Sequence, residues 1–68
     1  MNKIYYIEAS SSMTRGAFFV DTIEGKDLYS LRLSDVMEFD NRIDAELKAC
    51  ALDTEKIIHT VHSFNLNN

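Results

Sequence analysis

The sequence predicts an α+β fold: a four-stranded mixed sheet in the order 3-2-1-4 with one helix across one face. Three observations lead there. Residues 4–33 hold three short runs rich in β-branched and aromatic residues, separated by a polar loop and a glycine turn. Apolar spacing then turns helical between residues 35 and 52. A last β-branched run follows at residues 57–64. With 68 residues there is room for a single domain, expected to be ordered over about residues 3–64 with a flexible tail at 65–68.

Ile4 to Ala9 reads as the first strand, and Ser10 to Gly16 as a polar loop. Ala17 to Ile23 is the second strand, with Phe18 and Val20 on one face and Phe19 and Ile23 on the other. Glu24-Gly25-Lys26-Asp27 has the composition of a tight hairpin, with Gly25 free to take positive φ. Leu28 to Leu33 is the third strand, pointing Tyr29, Leu31 and Leu33 one way. Val36, Phe39, Ile43, Leu47 and Cys50 then recur at helical spacing and predict one apolar stripe on a helix from about Asp35 to Leu52. Ser34 or Asp35 can cap its start, and Ala45, Ala49 and Ala51 favour it. After the helix crosses over, the last strand, Ile57 to Phe64, is expected to lie parallel to the first. One sheet face then stays bare, carrying side chains such as Tyr6, Phe19 and Ile23 or, in the other register, the opposite set, which favours a dimer or a partner complex.

Composition excludes several classes. The only cysteine is Cys50, so no disulfide forms within the chain, which fits a reducing cytoplasm. Cys50, His59 and His62 match no zinc spacing. The longest unbroken apolar runs have four residues, too short for a membrane span or a signal-peptide core. The net charge of −4 argues against a nucleic-acid binder held by phosphate contacts. Residues 1–33 carry four bases and four acids, so the whole excess lies in residues 34–56, where seven acids meet Arg42, Lys48 and Lys56. On a helical wheel Asp35, Glu38, Glu46 and Asp53, with Arg42 among them, form one flank beside the apolar stripe. That flank is a candidate contact for a partner protein with a basic surface. In the loop, Met13 and Arg15 are candidate contact residues, since both types are common at interfaces.

Several segments share an order with a known family. The first strand ends Ile7-Glu8-Ala9-Ser10, and a loop and a hairpin through Gly25 follow. The helix reads Asn41-Arg42-Ile43-Asp44-Ala45-Glu46-Leu47-Lys48-Ala49-Cys50-Ala51-Leu52, and the last strand contains His62-Ser63. This order resembles the first half of the ribonuclease H family, whose segments read Asp-Gly-Ser, Asn…Glu-Leu-x-Ala…Ala-Leu and Asp-Ser. The resemblance implies two-magnesium cleavage of RNA paired to DNA in the complete family. Here Glu8 stands at the first carboxylate position, Glu46 keeps the helix position, and His62 replaces the third carboxylate. Glu8 and Glu46 are therefore the candidate metal ligands, for magnesium, and two carboxylates make a poor cage for a hard cation.

The remaining candidates have plainer readings. His59 and His62 lie three apart on a strand and point to opposite faces, so they cannot share one ion. Cys50, on the apolar stripe, is expected to be a buried inert thiol. The seven aromatic residues suit stacking on single-stranded nucleic acid only with a basic groove, which the charge balance does not supply. The functional expectation is a non-enzymatic, small acidic binding protein, such as a phage or mobile-element inhibitor of the anti-CRISPR or other anti-defence type. The alternatives are an antitoxin or regulatory subunit similar to the HicB family, and a minimal magnesium-dependent nuclease completed across a homodimer.

Overall fold

The computed structural model describes residues 3–11 and 16–66. Four strands and one helix follow in the order β1 (Lys3–Ser10), β2 (Ala17–Ile23), β3 (Lys26–Ser30), α1 (Arg42–Leu52) and β4 (Ile58–Asn65), with a 3-10 turn at Leu33–Asp35. The sheet order is β3-β2-β1-β4, as the sequence predicts. The hairpin closes through Glu24 and Gly25, both at positive φ (51° and 80°), the mirror-image turn that matches strand twist. No helix among the described residues is long and apolar enough to cross a membrane.

The sheet is antiparallel throughout rather than mixed. β4 pairs with β1 from Lys3↔Asn65 to Ser10↔Ile58, the reverse of the parallel expectation. The reason lies between β3 and α1. Residues 36–40, expected to be helical, are not: Val36 is extended and Phe39 forms a β-bridge with Tyr5. β1 and β2 pair only at Glu8↔Phe18 and Ala9↔Ala17, and β2 bulges between Phe19 and Asp21. The gap is filled by the incoming chain. Tyr5 N–H donates to Phe39 O (2.8 Å), Phe39 N–H to Tyr5 O (2.9 Å), and Met37 N–H to Phe19 O (3.0 Å). This extra antiparallel pass adds one chain reversal, so the helix starts beside Tyr5 and delivers β4 beside Ser10. Eleven helical residues rise about 16 Å, the same as about five strand residues, which is the span from Tyr5 to Ser10.

The helix therefore begins at Asn41, not near Asp35. The Asn41 side chain accepts from Ile43 N–H at 2.7 Å and caps the first turn. Its buried face is also not the predicted stripe. Ala45, Ala49 and Leu52 are buried, while Ile43 and Leu47 are 68% and 66% exposed and Cys50 lies at the surface. Alanines let the helix backbone approach the sheet closely, so the sheet supplies the large side chains. The core is Ile7, Phe19, Val61, Ala45, Ala49 and Leu52, with Tyr5, Met37 and Phe39 packed against it. Phe19, expected on the bare face, is thus in the core. Tyr6 does lie on the uncovered face, and Ile23 is exposed at the hairpin end. β3 stops at Ser30, so Leu31 and Leu33 leave the sheet.

Candidate interaction face and a buried histidine network

Strand alternation sorts the polar side chains onto two faces. Tyr6 and Glu8 of β1 lie away from the helix, as do their cross-strand partners His62 and Thr60 of β4 and Phe18 of β2. Glu8 Oε1 and His62 Nε2 are 2.8 Å apart. A carboxylate only accepts, so the imidazole donates. The Tyr6 ring stacks on His62 with centroids 5.4 Å apart and meets Phe18 edge-on at 5.7 Å. Gly16 passes so close to Glu8 that a Cβ there would press the carboxylate aside, away from His62.

Beside Tyr6 the same face opens into a pocket of about 270 Å³. Ile4, Tyr6 and Phe64 form its floor. Leu33 and Ser34 of the 3-10 turn and Val36 and Glu38 of the segment after it complete the lining. The walls arise from the same alternation that sends Met37 and Phe39 to the core, which turns Val36 and Glu38 the other way. The Glu38 carboxylate has no ion-pair partner among the described residues.

The helix side of the sheet holds a second polar group. His59, on β4, has a side chain only 1% exposed. Its Nδ1 donates to Asp53 Oδ1 at 2.8 Å, its backbone N–H reaches the same oxygen at 2.7 Å, and its Nε2 lies 2.8 Å from the Tyr29 hydroxyl. With the proton on Nδ1, Nε2 accepts from Tyr29 O–H. The chain Asp53–His59–Tyr29 joins the end of α1, β4 and β3, and it satisfies a buried imidazole that would otherwise destabilise the core. The hydrogen bond from the His59 side chain, with that from its backbone, lowers the Asp53 carboxyl below its ordinary 3.8. Burial, with the Asp27 and Asp53 charges, raises the Tyr29 hydroxyl above 10.0. Tyr29 therefore keeps its proton at neutral pH and acts as a donor.

The signs set a pH profile. A lowered Asp53 contributes stability above pH 3.8, lost as pH falls through its folded value. A raised Tyr29 contributes stability below pH 10.0, lost as pH rises through its folded value. Thermal melting across pH should show Asp53→Asn flattening the acid limb and Tyr29→Phe the alkaline limb. An acid limb unchanged in Asp53→Asn would remove the carboxylate from this role.

The expected sites are distributed differently. Glu8 and Glu46 do not meet: Glu8 faces His62 on the uncovered face, while Glu46 Oε2 pairs with Arg42 Nε at 3.3 Å on the helix surface. No group of three or more His, Cys, Asp and Glu among the described residues is arranged to hold a metal ion. The acidic flank is not one surface, because the non-helical residues 36–40 break the helical wheel. Asp35 sits in the 3-10 turn, 2.9 Å from Ser30 Oγ and 4.0 Å from Arg32. Glu38 lines the pocket, Arg42 and Glu46 pair with each other, and Asp53 holds His59. Met13 and Arg15 lie outside the described residues. His59 and His62 occupy opposite faces, as alternation requires. The sequence contained no sign of the Glu8–His62 and His59–Tyr29 pairs, because both depend on strand direction and register.

Comparison of the chain with protein-family models, curated proteins and solved structures finds no match.

Proposed function

We propose that the chain is a non-enzymatic binding protein that holds a basic segment of a partner protein on the uncovered sheet face, with one arginine or lysine side chain in the pocket beside Tyr6. The observation that carries this is the pocket itself: apolar walls from Ile4, Tyr6, Val36 and Phe64, with the unpaired Glu38 carboxylate at its edge. Such a site suits a side chain with an aliphatic stem and a cationic head. Its volume of about 270 Å³ fits one side chain better than a drug-sized ligand. The net charge of −4 would speed encounter with a basic surface. An anti-defence inhibitor, an antitoxin and a regulatory subunit would all work by this kind of contact. The ribonuclease H-like positions fit the same reading, since Glu8 and His62 engage each other and Glu46 engages Arg42.

Titration of the isotope-labelled protein with an arginine-centred heptapeptide tests the proposal. Saturable shifts are expected at the amides of Ile4, Tyr6, Val36, Glu38 and Phe64, and a citrulline-centred peptide should bind more weakly. Glu38→Gln should weaken arginine binding by about tenfold or more, the worth of a charged hydrogen bond. Glu46→Gln should leave it unchanged. Equal effects of the two substitutions, or unsaturable shifts spread over all acidic residues, would mean general charge attraction and no site.

A further inference from the structure

The free edge of β4 is unguarded. The strand runs eight residues, Ile58–Asn65, and pairs with β1 along its whole length without a bulge. It contains no lysine, arginine, acid or proline, the devices that usually blunt an edge. The other edge, β3, is five residues long, carries Lys26 and Asp27, and pairs with the bulged β2.

The direction of its free backbone groups follows from one bond. His59 N–H points away from β1, to Asp53. In an antiparallel ladder, alternate residues turn their N–H and C=O groups the same way, so Val61 and Ser63 also point outward. Asp53 thus closes the start of the edge and leaves it open from Val61 onward.

We propose that this edge pairs antiparallel with β4 of a second copy, about a two-fold axis through His62, so that Val61 lies opposite Ser63 of the second copy. Outward groups can meet only outward groups, so odd residues must face odd residues. Shifting the axis to Val61 would set His59, whose N–H is already taken, opposite Ser63 inside the ladder, whereas the axis at His62 sets it opposite Asn65, at the ladder's end. Shifting the axis to Ser63 would set Ile58 opposite Asn68, outside the described residues, and Leu66 opposite Thr60. The axis at His62 puts Thr60 opposite Phe64 and brings Ile58 to Leu66. Ile58 and Phe64 are 63% and 50% exposed, Leu66 is also exposed, and all three would lose water. No side chain on the strand except histidine can be charged, and the two His62 rings that meet at the axis are each held by their own Glu8 carboxylate.

A two-fold axis perpendicular to the sheet keeps both helices on one side and sets two uncovered faces, with their pockets, side by side on the other.

Sedimentation equilibrium from micromolar to millimolar protein, with amide exchange at both ends of the range, tests the pairing. The mass should double with concentration. The Val61 and Ser63 amides should become protected only in the dimer, while His59, held by Asp53, is protected throughout. Ser63→Pro removes an outward N–H at an edge position that tolerates proline, and should weaken association by roughly tenfold or more. Thr60→Lys should weaken it as well, with the circular dichroism of the wild type retained. A monomer at millimolar concentration overturns the proposal, as does a dimer in which the Val61 and Ser63 amides exchange freely. A dimer unchanged in both folded variants also overturns it. Should a variant fail to fold, the wild-type exchange pattern decides.

Discussion

Phe19→Ala should remove about a third or more of the protein's stability. The ring is 1% exposed and sits at the centre of the core. It meets Tyr29 edge-on at 5.9 Å and lies 5.3 Å from the Lys48 ammonium, so it joins β2, β3 and the helix. Truncating a buried phenylalanine costs about 3–5 kcal/mol. A chain of this length has about 3–10 kcal/mol of total stability. The loss also leaves a cavity under Ala45 and Ala49 that short side chains cannot collapse into. Urea denaturation followed by circular dichroism measures the effect. A folded variant that loses less than about 1 kcal/mol would move Phe19 out of the core to the uncovered face.

Ala45→Leu and Leu47→Ala should differ in the reverse order of their apparent importance in the sequence. Ala45 is fully buried between the helix backbone and the sheet. Added methylenes there must push the helix away from Ile7 and Val61, at about 1–3 kcal/mol. The shift would also strain the Asp53–His59 bonds at the helix end. Leu47 is mostly exposed, so its truncation should cost less than about 1 kcal/mol, and alanine's higher helix propensity offsets part of that. The same denaturation series ranks the pair. A large loss for Leu47→Ala with tolerance at Ala45 would mean that the helix packs by the stripe Ile43, Leu47 and Cys50.

Much of the architecture can be read in local patterns. The three first strands come from dense β-branched and aromatic runs, and the hairpin from Gly25. The strand order 3-2-1-4 follows from short connections among the first three strands and one longer passage to the last. The separation of His59 from His62 needs only a period of two. Each of these depends on interactions between residues close in sequence or on the geometry of a single strand.

The parts that bear on function depend on contacts between distant residues. Val36 and Phe39 fit a helical period by spacing. Instead Val36 N–H closes the 3-10 turn onto Leu33 O, Met37 and Phe39 bond to Phe19 and Tyr5 where β1 and β2 part, and those hydrogen bonds outweigh local helix preference. One consequence is the added chain reversal that makes β4 antiparallel and brings Glu8 to His62. Another is that Glu38 leaves the helix and lines a pocket. The helix face was equally hidden, since hydrophobicity ranks Ile43 and Leu47 above Ala45 and Ala49. Close packing on a sheet already filled by Phe19, Ile7 and Val61 leaves room only for small side chains. The sequence by itself determined the strands, their order and the presence of one helix. Only the tertiary structure decided which face of that helix is buried, which way β4 runs and which charges meet, because steric fit and register are set by the partner surface.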